Sequence, residues 1–414
     1  MATTTADSQP PALTEQQHDA VRFLMRLGHA LHRYSYSTQI MEEKMQRVAE
    51  ELGMSGQFFF SPTMILAVFG RGREQRPYMI RTTPGGVDLG KLVEVDQVAD
   101  RVVHGETAPL AGVEQLDKIV ARPDLYSAWV RVFAFGLSSA AFARFLDGGL
   151  HEIGTSFFVG CLIGLCDYLA PKFGVLSRNF ELFASFFAAA LAFALGSKFG
   201  GSSIFIATLA GSVALLPGLA VTVSMSELSS GHLLSGTVRL SGAMVVLVSL
   251  IFGNALGGAV AQMILRGGGT SEPRSLPDWT IWLAMIAAGS AFVVIFRAHP
   301  RDYAPIVVVS LLTSGVNLWL QERLNPALSA FVAAAVATLA SLVYALLLKR
   351  PSMVTLVPAI LVVVPGSIGY RGLMALMERN FESGLEGAFN MVLVAVAIAG
   401  GMIVAFELWP GRRR

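Results

Sequence analysis

The 414 residues include 53% hydrophobic and 14% charged side chains, with a mean hydropathy of +0.58. A soluble domain carries about 25% charged residues, so this composition excludes a disordered chain, a nucleic-acid binder and an ordinary cytosolic enzyme. A net charge of +2 implies no polyanionic partner, and the two cysteines, Cys161 and Cys166, share one apolar run, which leaves no disulfide framework and no metal cluster.

The average conceals a split, because residues 1–129 hold 29 of the 60 charged side chains. Met1 to Pro11 is polar without an apolar h-region, so no signal peptide is expected. Residues 1–14 read as a disordered tail and 15–125 as a small cytoplasmic α+β domain. Thr14 with Gln17 fits a capping box, and Ala20, Phe23, Leu24, Leu27 and Leu31 follow at helical spacing. Met41, Met45, Val48 and Leu52 mark a second helix ending at Gly53, a suitable C′ residue. Gln57 to Phe69 and Tyr78 to Arg81 read as short strands, with a turn at Pro84-Gly85-Gly86 and helix again over 88–121. His29 and His32 stand three apart on the first helix, a pairing too sparse to specify a metal site.

From residue 130 the chain is a series of apolar runs: 130–146, 152–170, 181–196, 203–221, 240–264, 279–296, 304–320, 327–348, 354–370 and 388–408. Most approach the ~20 residues that cross a bilayer. The first is weakest, since Arg131 and Arg144 bracket it and would snorkel to opposite interfaces. Pro217-Gly218 and Pro365-Gly366 each follow an apolar run, and an offset of 148 relates them. The same shift carries each of the first five runs onto one of the second five, the signature of an internal repeat. Five spans per copy force the second copy to insert upside down. The expected fold is therefore mainly α: ten transmembrane helices as an inverted 5+5 repeat, residues 130–265 and 278–410, beside the N-terminal domain. That is the plan of many secondary transporters. With both termini cytoplasmic, ten Lys/Arg fall on the inner side against six outside, a bias of the expected sign.

A Pro-Gly pair in corresponding places of both halves predicts two discontinuous helices. Their freed N–H groups attract an anionic group such as a carboxylate. Pro217, Gly218, Pro365 and Gly366 are thus candidate substrate-binding residues. After the first break, Thr222 and Ser226 share a face and would bond a hydroxyl, and Glu227 would face an ammonium or carry a proton. Asp167 is the best proton-carrier candidate inside a span, the alternative being an interfacial residue. Arg239 would pair with Glu227 or hold the opposite end of a zwitterion; the alternative is an interfacial arginine. Gly160-x-x-x-Gly164 and Gly253-x-x-x-Gly257 read as helix-packing faces. No Walker A sequence and no G-x-S-x-G nucleophile elbow occurs, so no catalytic residue and no cofactor is expected.

These residues also carry a resemblance. Tyr34-Ser35-Tyr36-Ser37-Thr38, Glu42 and Leu52-Gly53 precede the spans. Leu216-Pro217-Gly218 leads to Glu227-Leu228, Gly231, Gly236 and Arg239-Leu240, and Val364-Pro365-Gly366 leads to Tyr370-Arg371-Gly372. The chain resembles the threonine/serine exporter family over nearly its whole length after about residue 15. The resemblance implies a cytoplasmic N-domain, ten spans in the inner membrane, and export of threonine and serine by antiport with protons, driven by the proton motive force. It adds Tyr370 to the candidate binding residues. In some bacteria the halves resemble two separate polypeptides associated with dicarboxylate export, so a succinate-type dicarboxylate is the alternative substrate. A membrane-anchored enzyme or sensor acting through the N-domain is the alternative of a different class. A homo-oligomer is left open.

Overall fold

The computed structural model describes residues 14–34, 37–83, 85–199, 203–265, 276–364 and 366–409. The tail before Thr14, Ser35 and Tyr36 of the first motif, Pro84 of the expected turn and Pro365 of the second break lie outside the described residues. The chain divides into two compact units, Met1–Pro123 and Asp124–Arg414.

In the first unit, helices α1 (Glu15–Tyr34) and α2 (Thr38–Glu51) precede strands β1 (Gly56–Ser61), β2 (Met64–Phe69) and β3 (Arg76–Arg81), then α3 (Leu89–Val103) and α4 (Pro109–Ala121). The strands form one antiparallel sheet in the order β1-β2-β3. The Thr14 and Gln17 side chains bond reciprocally to each other's backbone N–H at 3.3 and 2.9 Å, so two of the donors orphaned at the start of α1 are satisfied. Gly53 takes a left-handed φ of +67° just past α2, a conformation that costs glycine nothing. The apolar stripe of α1 lies inward: Phe23, Leu24 and Leu27 are fully buried, each contributing about 1.5–3 kcal/mol relative to exposure. His32 bonds through Nε2 to the Ser61 carbonyl at 2.9 Å, while His29 faces Arg26 at 3.2 Å, so the two rings serve different partners.

His29 also borders an open groove of 580 Å³ together with Met25, Arg26 and Met79. Burial, then the charges of Arg26, Arg33 and His32, push its pKa below the ordinary 6.5. The unfolded chain therefore takes the proton more readily. This contribution to stability is complete above about pH 6.5 and is lost as pH falls through the lowered folded value. Amide exchange of α1 in the full chain, corrected for intrinsic rates, is expected to speed up between about pH 7.5 and about pH 5.5. His29→Gln should shrink that difference; an unchanged difference would assign the effect to other groups.

The regular structure of the second unit is helical among the described residues. Its first half comprises α5 (Ala128–Phe145), α6 (Leu150–Leu169), the short α7 (Gly174–Arg178), α8 (Phe180–Phe199), α9 (Ile204–Gly211), α10 (Gly218–Ser229) and α11 (Leu233–Leu265). The second half comprises α12 (Thr280–Ile295), α13 (Tyr303–Gln321), α14 (Pro326–Leu348), α15 (Met353–Leu361), α16 (Gly366–Met377) and α17 (Phe381–Leu408). Among the described residues, seven helices are long and apolar enough to cross a membrane, or eight when the bent α9–α10 pair is one span. Each apolar run of the sequence contains helix among the described residues, yet α5 and α12 fall outside that set. α12 has 16 residues, about 24 Å of helix against a hydrocarbon core of about 30 Å, and α5 carries Arg131 and Arg144 near its ends.

Packing repeats between the halves. α5 packs on α6, α6 on α8 and α9, α8 on α9 and α11, and α10 on α11. Likewise α12 packs on α13, α13 on α14 and α15, α14 on α15 and α17, and α16 on α17. The correspondence reaches single residues. A Cβ on Gly236 would meet Leu228 Cγ at 2.7 Å and the Ser224 carbonyl at 2.9 Å. A Cβ on Gly384 would meet Leu376 and, at 3.1 Å, the Gly372 carbonyl. The one offset that relates the Pro-Gly pairs also relates Gly236 to Gly384, Leu228 to Leu376 and Ser224 to Gly372. Gly253 lies against the Leu182 carbonyl of α8, and Gly401 against the Phe331 carbonyl of α14. Both are close approaches of small-residue faces, the usual means of packing helices in lipid. Across the halves, α5 packs on α12, α10 on α16 and α17, and α11 on α16.

Candidate functional site

The two breaks meet. α9 ends at Gly211, a single 3-10 turn covers Val213–Leu215, and α10 begins at Gly218 after Pro217; a 44° bend separates Ile204–Gly211 from Val213–Ser229, at Ser212. Proline supplies no N–H and cannot continue the preceding helix, and the first N–H groups of α10 have no acceptor within their own helix. The second broken helix is interrupted after Leu361, where α15 ends, and resumes at Gly366, which opens α16. A Cβ on Gly218 would strike Val364 and stand 2.9 Å from the Gly366 nitrogen and 3.0 Å from its Cα. A Cβ on Gly366 would meet Leu216 Cβ at 3.1 Å and Gly218 Cα at 3.4 Å. The breaks therefore touch backbone to backbone. The two breaks are in contact in this arrangement, and a substrate held by both requires them to part.

One turn beyond each break stands a buried hydroxyl. Thr222 on α10 is fully buried and its Oγ1 has no hydrogen-bond partner among the described residues. Tyr370 on α16 occupies the equivalent position of the repeat, is 2% exposed, and accepts a hydrogen bond from Asn254 Nδ2 of α11. Asn254 Oδ1 is buried without a partner among the described residues. A buried polar atom left unpaired costs ~1–3 kcal/mol, and Thr222 Oγ1, Asn254 Oδ1 and Ser212 Oγ beside the first break are such atoms, without a partner among the described residues. Ser226, one turn after Thr222, is half-buried, and its carbonyl accepts from the Ser230 hydroxyl at 2.8 Å.

At the end of α10, Glu227 is 1% exposed and Arg239 of α11 grips it with two bonds, Nε to Oε2 at 3.1 Å and Nη2 to Oε1 at 3.2 Å. Of the arrangements left open for Arg239, this structure holds the pair with Glu227, in the bidentate form that fixes geometry as well as charge. Their counterparts in the second half are Ala375 and Gly387. The ion pair is thus an asymmetric feature of a repeated frame.

Asp167 is not beside the breaks. It lies in the last turn of α6 with its side chain one-third exposed, paired with Arg131. Arg131 also bonds Asp124 at 2.7 Å, and Asp124 lies 3.3 Å from Arg297. The sequence reading did not single out Glu152, Asp302, Tyr344 or Arg350, all polar groups turned into the helical unit. Asp302 stands at the N-cap of α13 after Pro300, a position that reads from sequence as a loop charge. Its burial depends on Tyr344 and Arg350, partners brought in from far along the chain. Among the described residues, no three His, Cys, Asp or Glu side chains group as metal ligands.

Residues 22–261 match the model of one threonine/serine exporter family, ThrE, and residues 280–406 match a second, ThrE_2, also described as threonine/serine exporter. The chain is 29% identical over 385 residues to "Pheromone-regulated membrane protein 10" of Saccharomyces cerevisiae, covering 90% of this chain and 48% of that protein. It is 27% identical over 384 residues to the protein of the same name in Candida glabrata, covering 90% and 47%. The chain thus spans about half the length of these curated relatives. No solved structure matches it.

Proposed function

The chain belongs to the threonine/serine exporter family, a multi-pass membrane protein of transporter type, and from that premise we propose that it exports threonine and serine across the cytoplasmic membrane in exchange for protons. The observation that carries this reading is the direct contact of the two breaks at Gly218 and Gly366. Two discontinuous helices from corresponding places in a repeat, meeting at their broken ends, form the site arrangement of secondary transporters. When the breaks part, the first N–H groups of α10 and α16 receive the substrate carboxylate without a buried cation. Thr222, Ser226 and Tyr370 supply hydroxyls, with Pro217 and Pro365 setting the breaks. Glu227, charge-paired with Arg239, faces the ammonium of the substrate. Asp167 and Glu227 are carboxylates available for the coupled proton.

The repeated packing supports two like halves; we take them as ten crossings in two oppositely inserted halves, with both termini and the first unit in the cytoplasm, from the five runs per half and the charge bias of the sequence. A dicarboxylate needs a further uncompensated cation at the site. Arg239 is neutralised by Glu227 and Arg371 is exposed, which favours a zwitterion over succinate. In proteoliposomes, labelled threonine and serine are expected to undergo counterflow and labelled succinate is not. Succinate exchange without threonine exchange would move the assignment to a dicarboxylate, and exchange of none of the three would remove the transport reading.

A further inference from the structure

In each half a buried carboxylate at the start of the second helix holds the segment that enters the broken helix. Glu152, in the first turn of α6, is 1% exposed; its Oε2 accepts from the Gly149 N–H at 2.9 Å and its Oε1 from the Ser203 N–H at 2.7 Å. Ser203 is the N-cap of α9, the first piece of the first broken helix. In the second half Asp302, immediately before α13, is 1% exposed. Its Oδ1 accepts from the Tyr344 hydroxyl of α14 at 2.9 Å and from Arg350 Nη1, and Arg350 precedes α15, the first piece of the second broken helix. The repeat offset carries Glu152 to position 300 and Ser203 to position 351, next to or near the acid and its tether. Corresponding places in the repeat thus hold the same device.

The two acids differ in one respect that bears on protons. Both Glu152 oxygens are occupied by neutral backbone donors. Asp302 faces a full cation, and its second oxygen, Oδ2, is buried with no partner among the described residues. Asp167 is one-third exposed, and Glu227 has both oxygens on Arg239. Asp302 alone of these four acids has a buried oxygen with room in its bonding for a proton. The ionisable groups around it are Arg350, which pairs with it, Tyr344 on α14, Tyr126 ahead of α5, whose pKa is raised by burial and by the Asp302 charge, and His299 and Arg301 in its own segment. His299 Nδ1 is buried without a partner among the described residues.

We propose that Asp302 is the proton-accepting group of the second half, and that its pair with Arg350 is a latch on the entry to the second broken helix which protonation releases. A proton passes from hydronium to Oδ2: one O–H bond of the hydronium breaks, leaving water, as the Oδ2–H bond forms. The neutral acid no longer balances the Arg350 charge, the tether on α15 loosens, and loss of the proton restores it. For its purpose this rests on the transport reading, but release of the latch requires no substrate.

The test places an environment-sensitive fluorophore on Ser352→Cys, at the start of α15, in the full chain carrying Cys161→Ala and Cys166→Ala. Emission is expected to follow pH with a single midpoint and to lose that dependence in Asp302→Asn. Should the single variant fail to fold, Asp302→Asn with Arg350→Gln removes both charges and should give the same flat profile. Asp302→Glu, which keeps a carboxylate, should keep the titration. In proteoliposomes, a pH gradient of one unit multiplies accumulation about tenfold for one coupled proton. Asp302→Asn should lower that factor while counterflow continues. Emission that is flat in the parent, or that titrates equally in the Asn variants, overturns the latch. Absence of any solute exchange in the parent, with the emission titration intact, overturns the transport reading alone.

Discussion

Gly218→Val is expected to leave the protein in the membrane and abolish transport. The new Cβ would overlap Val364 and approach the Gly366 nitrogen at 2.9 Å and its Cα at 3.0 Å. The obstructing atoms are a stiff β-branched side chain and backbone, so they cannot swing aside. Overpacking a tight contact costs about 1–3 kcal/mol, and here the strain falls on the surface that must open and close. Gly366→Ala should be milder, since its nearest neighbours stand at 3.1 and 3.4 Å, within reach of a small shift. Gly242→Ala, where a Cβ meets nothing within 4 Å, should export at the parental rate. Protein abundance in the membrane and threonine counterflow, measured together, separate failure to insert from failure to transport. Normal counterflow in Gly218→Val would make the breaks simple kinks.

Arg239→Ala should be the most damaging single charge removal in the helical unit. It leaves Glu227, 1% exposed, without the guanidinium that grips both its oxygens. Breaking one side of a buried pair costs about 3–5 kcal/mol, because the remaining charge stays buried, whereas removing both partners is often near neutral. Arg239→Ala should therefore lower the thermal midpoint of the detergent-solubilised protein sharply, and adding Glu227→Gln should restore most of the loss. Arg239→Lys should recover only part, since a point charge cannot make the bidentate contact. Equal destabilisation in the single and double variants would show that the pair contributes through packing alone. Transport serves as a second readout: if the pair contacts substrate, the double variant stays folded and still fails in counterflow.

The repeat was legible before any coordinates, because membrane helices write their length and spacing directly into hydropathy. The ten runs, the constant offset between them and the two Pro-Gly breaks are all local features. The backbone must bond internally in lipid whatever surrounds it, so they keep their meaning in isolation. The capping box at Thr14, the left-handed Gly53 and the facing of Gly253 onto α8 depend likewise on a few adjacent residues or on one helix pair. Glu227 and Arg239 could be paired from sequence for the same reason: they flank a single turn between two helices.

The sequence alone was silent where the partner lies far along the chain. Nothing local in Arg301-Asp302 indicates that Tyr344 and Arg350 close over the carboxylate, and nothing near Glu152 points to Ser203. Asp167 read as an acid inside a span, yet its exposure was set by α6 ending beside Arg131 and by Arg131 bridging to Asp124. Facing of the two breaks, too, was decided only by assembly: Gly218 and Gly366 belong to opposite halves of the repeat, and their backbones meet because α10 packs on α16. Helix identity and periodicity follow from short-range bonding and the thickness of the bilayer. Which polar groups are left buried, and with what for company, follows from how the helices close on one another.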